Sequence, residues 1–271
     1  MPEDLTLLRR IDAYLDGVPR SAVRTETIGP FTLFVREGNG WRYYARPTPG
    51  AGIFTREDVE AVRGRQRELG QPEAIEWVVG LAPGVGPAAE AGGLATHRMP
   101  LMHLPPGAVR PVDPPDGVEI HIAAPDDDIA TMTAVAMIGF GHPGTDAGET
   151  GVGALPEAAA TIDPGNLAFS RERIRDGVTV TAAAFVDGTP VSVGSHQPYE
   201  GATEIVGVAT LPAYRRRGIG AAVTSALIHD AIVRGVEVIC LSAGSEDVAR
   251  VYARAGFRQI GEVGAAEPPE A

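Results

Sequence analysis

The stretch EIVGVATLPAYRRRGIGAAVTSAL, Glu204 to Leu227, passes from β-branched residues through a proline into three arginines, a glycine pair and an apolar helical run. Such an order predicts a strand, a tight cationic turn and a helix in immediate succession, the repeating step of an α/β fold. Gly218 and Gly220 leave room for a ligand to approach the backbone, and the helix that follows presents unpaired N–H groups whose dipole favours an anion. Arg215, Arg216 and Arg217 add guanidinium support, so the turn is expected to be a phosphate cradle. It is neither GxxxxGK[ST] nor GxGxxG, since the 23 basic side chains are all arginine and the glycine spacing differs.

With 271 residues and 44% hydrophobic content, the chain has ample material for one large core or two modest ones. Its formal charge of −12 argues against nonspecific nucleic-acid binding, which needs a basic face, and suits a cationic partner. No apolar run is long enough for a membrane span, and MPEDLTLLRR carries acids where a secretory leader would be basic, so a cytoplasmic, non-membrane protein is expected. The single cysteine, Cys240, excludes an internal disulfide framework and reads as a buried, inert thiol in VEVICLS.

Five prolines in LPPGAVRPVDPPDG, Leu104 to Gly117, forbid a helix interior and predict a linker at 105–117. Before it, Leu5, Leu8, Ile11 and Leu15 recur at helical spacing, and FTLFVRE and WRYYAR flank GNG like a hairpin. A helix is expected from Thr55, with Asp58 reaching back in a capping box, to near Gly70; AIEWVV, VGPAAEAGG and THRMPLMHL then read as strand, helix and strand. After the linker come the strand GVEIHI, the helix DDDIATMTAVAMIGF, and a hairpin turning at Asp187 and Gly188. VEVICLS, the helix SEDVARVYARAG and the strand FRQIGEV close the domain, with a frayed tail over 265–271. The domain division expected is therefore 1–104, linker 105–117, 118–264, tail 265–271.

From about Gly117 to Val263 the chain resembles the GNAT acyltransferase superfamily. The resemblance rests on the signature R/Q-x-x-G-x-G/A, met by Arg215, Gly218 and Gly220 between a strand and a helix, and on a tyrosine before GF in YARAGF, met by Tyr252, Gly256 and Phe257. EIVGVATL is further similar to the strand of histone-type members in which a glutamate is the general base. Ser245 departs from the pattern, standing where the family often has asparagine. The implied fold is a mixed, mostly antiparallel α/β (α+β) sheet flanked by helices. Asp4 to Leu104 resembles a degenerate unit of the same kind, whose TREDVEAVRGRQRELG lacks the glycine pair; no cofactor is expected there, and Arg63, Arg65 and Arg67 read as a solvated helix face.

The resemblance implies an acyl-CoA-dependent N-acyltransferase that moves acetyl from acetyl-CoA to a small, cationic primary amine in a ternary complex. It places Val208, Ala209 and Thr210 along the pantetheine arm and Arg215, Arg216, Arg217, Gly218, Ile219, Gly220 and Ala221 around the pyrophosphate. A backbone amide at Val208 or Ala209 would stabilise the oxyanion, Glu204 would accept the amine proton, and Tyr252 would protonate the leaving thiolate. Glu204 can equally be a half-exposed strand residue that only attracts a cation, and Tyr252 an aromatic core residue. His196 is a second base candidate. The glycine-rich Gly139–Gly165 is expected to be a loop over the acceptor site, where His142, Asp146 and Glu149 are candidates for the amine or merely solvent-facing; their spacing fits no metal pattern, and no metal is expected. Two other readings remain open: transfer of another acyl group or to a protein amine, and a noncatalytic CoA-binding or interaction module.

Overall fold

The computed structural model describes residues 2–41 and 43–269. Compactness divides the chain into two units, Met1–Met102 with Ser242–Ser245 and Gln259–Ala271, and His103–Leu241 with Glu246–Arg258.

In the first unit, α1 (Pro2–Gly17) is followed by β1 (Val23–Ile28), β2 (Phe31–Arg36), β3 (Ala45–Pro47), α2 (Arg56–Glu68), β4 (Ile75–Val78), α3 (Val85–Ala91) and β5 (Ala95–His103). The predicted hairpin partners do pair, but only Ala45–Pro47 of the second is strand, Arg42 lies outside the described residues, and β2 pairs on its other side with β1 across Gly29. The period-3/4 face of α1 buries Ile11, Leu15 and Leu8, while Leu5 stays exposed. Phe31, Leu33, Val59, Val62, Ile75 and Trp77 form the core between strands and α2.

Helix α2 starts with both halves of the predicted capping box: Asp58 N–H donates to Thr55 Oγ1 at 3.2 Å, and Thr55 N–H to Asp58 Oδ2 at 2.9 Å. Its arginines are not merely solvated. Arg63 and Arg67 both reach Glu73, and Arg65 grips Glu26, whose carboxyl is lowered to about 2 by Arg65 and Arg24.

The second unit contains β6 (Glu119–Ile122), α4 (Ile129–Gly141), α5 (Leu155–Ala160), α6 (Pro164–Arg175), β7 (Val180–Val186), β8 (Thr189–His196), β9 (Ala202–Thr210), α7 (Ile219–Val233), β10 (Val238–Ser242) and α8 (Glu246–Arg254). Its strand order is β10-β9-β8-β7-β6, antiparallel except for the parallel pair β9 and β10. Asp187 and Gly188 both take positive φ, 49° and 73°, the backbone a two-residue hairpin requires.

Two boundaries differ from the sequence division. The last strand, β11 (Arg258–Glu267), pairs antiparallel with β4, Ala265 opposite Glu76 and Ala266 opposite Ile75. The segment expected to fray is thus strand as far as Glu267; an alanine-rich segment of low β-propensity is held by its ladder and by burial of Ala266, while Glu270 and Ala271 lie outside the described residues. The proline-rich 105–117, though neither helix nor strand, is fastened to the second unit. Arg110 N–H donates to Ala255 O at 3.0 Å and Val112 N–H to Ser225 Oγ at 2.9 Å, while Gly256, at φ 109°, turns its bare Cα toward the Ala108 carbonyl. Among the described residues no helix is long and apolar enough to cross a membrane.

Candidate active site

Strands β9 and β10 pair in parallel from Ala202 opposite Val238 to Glu204 opposite Cys240, and among the described residues no further β9–β10 pairing follows although β9 runs on to Thr210. The backbone of β9 beyond Glu204 therefore has an edge with no strand on its β10 side. A bulge sharpens the departure: Val193 lies opposite Ala209 and Ser195 opposite Val206, so β9 takes three steps where β8 takes two, and Gly207 absorbs the extra residue at φ 65°. Thr210 is pinned by Ser192, whose hydroxyl also reaches the Ala209 carbonyl at 2.9 Å.

The turn after β9 has the geometry an anion cradle needs. Arg216 and Gly218 take left-handed φ of 64° and 82°, and α7 begins at Ile219 with no side-chain cap and no acid in its first turn. Its first amides are therefore not consumed by the chain's own cap, and the dipole favours a negative charge there. A Cβ on Gly220 would lie 3.2 Å from Thr210 Oγ1, so this space exists only because residue 220 is glycine.

The three arginines have separate surroundings. Arg215 spends its guanidinium on carbonyls, those of Thr210 (3.1 Å), Gly139 (2.8 Å), His142 (2.8 Å) and Asp146 (3.3 Å). Arg217 lies over the Tyr214 ring, 5.2 Å from its centroid, and donates to Ala213 O. Arg216 is exposed and 3.6 Å from the Asp146 carboxylate, itself on the surface, a pairing that solvent makes weak.

The glycine-rich Gly139–Gly165 is not one long loop, since it holds α5 and the start of α6, which Asp163 caps. Its first part folds onto the turn: Gly148 N–H donates to Pro212 O and Ala213 N–H to Thr150 O. His142 closes α4, its Nδ1–H donating to Ile138 O at 2.8 Å and Nε2 meeting the Thr150 hydroxyl at 3.2 Å. A cavity of about 570 Å³ lies beside the turn, between Glu149–Ala154 and Ala213, Tyr214 and Arg217. His142, Asp146 and Glu149 are thus brought together with the cationic turn.

His196 is placed elsewhere. It is fully buried, Nδ1 at 3.0 Å from Thr203 Oγ1 and Nε2 at 2.9 Å from Asp230 Oδ2 on α7, so both ring nitrogens are engaged within the protein. Burial lowers its pKa despite the carboxylate. Strand alternation points Thr203 and Glu204 to opposite faces of the sheet, so the two base candidates do not share a site. Tyr252 packs edge-on against Phe257 at 5.9 Å, and burial pushes its phenol up to about 12.

Residues 154–257 match the model of the acetyltransferase (GNAT) family, a span that contains β9, the cationic turn, α7 and Tyr252. The chain carries a GNAT acetyltransferase domain. Its fold likeness runs further than that match. A GCN5-related N-acetyltransferase from Kribbella flavida is 22% identical, with 97% of this chain and 96% of that one covered and a TM-score of 0.72. A tandem GNAT protein from the clavulanic acid biosynthesis pathway is 15% identical, with coverage of 89% and 79% and a TM-score of 0.54. The corresponding values for a GCN5-related N-acetyltransferase from Sphaerobacter thermophilus are 17%, 89%, 82% and 0.55. No curated protein matches. The N-terminal unit is compatible with a second GNAT-like fold.

Acyl-CoA is the donor the GNAT family generally uses, and the groups present fit its anionic end: an uncapped helix start, a left-handed turn, a glycine whose Cβ would fill the cradle, and two arginines directed away from the core. Sequence reasoning missed Ser192, which steadies Thr210, and Gly139, whose Cβ would overlap Ala209 at 2.8 Å. A glycine inside the apolar helix α4 was the available signal of that close approach. Among the described residues no group of three metal-ligating side chains occurs.

Proposed function

We propose that the GNAT domain transfers an acetyl group from acetyl-CoA to the primary amine of a small cationic molecule, by direct attack within a ternary complex. The observation that carries this reading is the continuous path from the unpaired edge of β9 beyond Glu204 to the uncapped start of α7. Along that path Val208, Ala209 and Thr210 offer backbone groups to an extended arm, and the amides from Gly218 to Ala221 meet a pyrophosphate. Arg216 and Arg217 add positive charge.

Glu204, at the last position of β9 that pairs with β10, accepts the proton of the attacking ammonium directly or through a water. The nitrogen then bonds to the thioester carbon, and an amide of Val208 or Ala209 donates to the developing oxyanion. As the carbon–sulfur bond breaks, the Tyr252 hydroxyl donates its proton to the thiolate, and the second proton lost by the nitrogen as the amide forms restores the phenol through solvent; the raised pKa of Tyr252 keeps its proton in place at neutral pH before the reaction. The net charge of −12 supports a cationic acceptor.

Thermal-shift titration with acetyl-CoA, succinyl-CoA, longer acyl-CoAs and CoA tests the donor, since a ligand that binds only the folded state raises the melting temperature. Stabilisation by acetyl-CoA, followed by thiol release with a panel of polyamines and amino sugars, is the expected result. No stabilisation by any thioester would remove the reading.

A further inference from the structure

We propose that Arg215 is a positioning residue, which fastens the segment 139–150 to the donor turn and makes ordering of that segment part of donor binding. The inference rests on the reading of the turn as the donor cradle.

Four of the five N–H donors of a guanidinium are spent here on backbone carbonyls. Two of the acceptors, Gly139 O and His142 O, belong to the C-terminal end of α4, where a cation is favoured by the dipole; Gly139 O also accepts from the His142 N–H at 3.4 Å. The third, Asp146 O, lies farther along the glycine-rich segment, and the fourth, Thr210 O, ends the strand that leads into the turn. One planar group thus ties a helix end, a segment and a strand end to the residue that opens the turn. A side chain so engaged has one N–H left and is poorly placed to serve as a phosphate ligand, leaving that task to the amides and to Arg216 and Arg217.

The consequence follows from chain continuity. Arg215 is bonded directly to Arg216, whose left-handed φ must be held for the turn to present its amides. A donor that holds Arg216 and Gly218 in place therefore holds the Arg215 fork, and with it the carbonyls of 139, 142 and 146. Thr150, clasped by His142 and by Ala213, extends this tie to the wall of the 570 Å³ cavity.

The test is hydrogen exchange of the full chain with and without saturating acetyl-CoA, alongside calorimetric affinity. In the wild type, acetyl-CoA should slow exchange in both 216–222 and 142–150. In Arg215→Met, which keeps the length and apolar stem of the side chain, protection should persist in 216–222 and vanish from 142–150, with affinity three- to tenfold weaker; Arg215→Lys should lie between. A role confined to stability would lower the melting temperature and leave the pattern of donor-induced protection unchanged, and that result overturns the proposal. So would protection limited to 216–222 in the wild type. If Arg215→Met does not fold, Arg215→Lys decides by the same criterion. A wild type that binds neither acetyl-CoA nor CoA removes the donor reading itself, and shows as a flat titration before any variant is made.

Discussion

Glu204 and Cys240 face each other across β9 and β10 as the last pair of their parallel ladder. The thiol records the proximity: burial raises its pKa first, and the charge of Glu204 raises it further. Glu204 thus sits where the sheet stops being continuous, at the inner end of the path assigned to the donor. Glu204→Gln should lower kcat/KM by on the order of 100-fold or more, the usual worth of a positioned general base, with acetyl-CoA affinity unchanged. Steady-state kinetics beside calorimetry reads both quantities. An unaltered rate would return Glu204 to the role of a charged strand residue.

Tyr252 carries a pH prediction. With its phenol pushed up to about 12 by burial, the hydroxyl keeps its proton throughout the range in which the enzyme can be assayed. The rate profile should show no alkaline fall from this group below pH ~10, since a group is mostly protonated two units under its pKa. Tyr252→Phe should reduce kcat on the order of 100-fold while the donor still binds. A decline near pH 8 that disappears in Tyr252→Phe would show that the phenol titrates lower and acts otherwise.

Gly220 tests the cradle by filling it. A Cβ there would lie 3.2 Å from Thr210 Oγ1 and 3.9 Å from Val208 Cγ1, in the space the proposed donor path crosses. Gly220→Val should weaken acetyl-CoA by at least about tenfold, or ~1.4 kcal/mol, while circular dichroism remains that of the folded chain. Full retention of affinity would place the donor off this turn.

The strand-turn-helix step and the helix caps were legible because local chemistry decides them. Thr55 and Asp58 form the reciprocal cap their spacing demands, and Asp187-Gly188 makes the turn its backbone freedom favours. β1 was not legible, since VRTETI is a largely exposed segment whose strand character comes from pairing with β2. Nor was β11 beyond Val263, where Ala265 and Ala266 are strand only because β4 lies beside them. In the site, the cationic turn was readable but the division of labour among its arginines was not. Arg215, Arg216 and Arg217 are chemically identical, and only the fold delivers four carbonyls to the first of them. His196 illustrates the same limit: a histidine at a strand end reads as a reachable base until Asp230, 34 residues away on α7, is seen to bury it.

The two helices at corresponding points of the units, α2 and α7, predict the stoichiometry. Thr55 and Asp58 consume the first amides of α2, and Glu57 and Asp58 set two carboxylates in its first turn, against which a pyrophosphate would be repelled. Helix α7 has neither a side-chain cap nor an acid there. Calorimetric titration with CoA should give one site per chain. Two equivalent sites would contradict this contrast between helix starts.

Stability should fall on the acid side of neutrality because of His196. Burial holds its folded pKa below the ordinary 6.5, so between the two values the unfolded chain binds a proton that the folded chain does not. The contribution is complete above pH ~6.5 and is lost as pH falls through the folded pKa. Asp230, lowered below 3.8 by Arg234 and His196 against its own desolvation, acts with the same sign at lower pH: its contribution is present above that value and lost beneath it. Melting temperatures between pH 5 and 8 should therefore decline toward pH 5 in the wild type, and the slope should flatten in His196→Gln. Glutamine can still donate to Asp230 and meet Thr203 but cannot take up a proton. An equal slope in both proteins would assign the acid sensitivity to other groups.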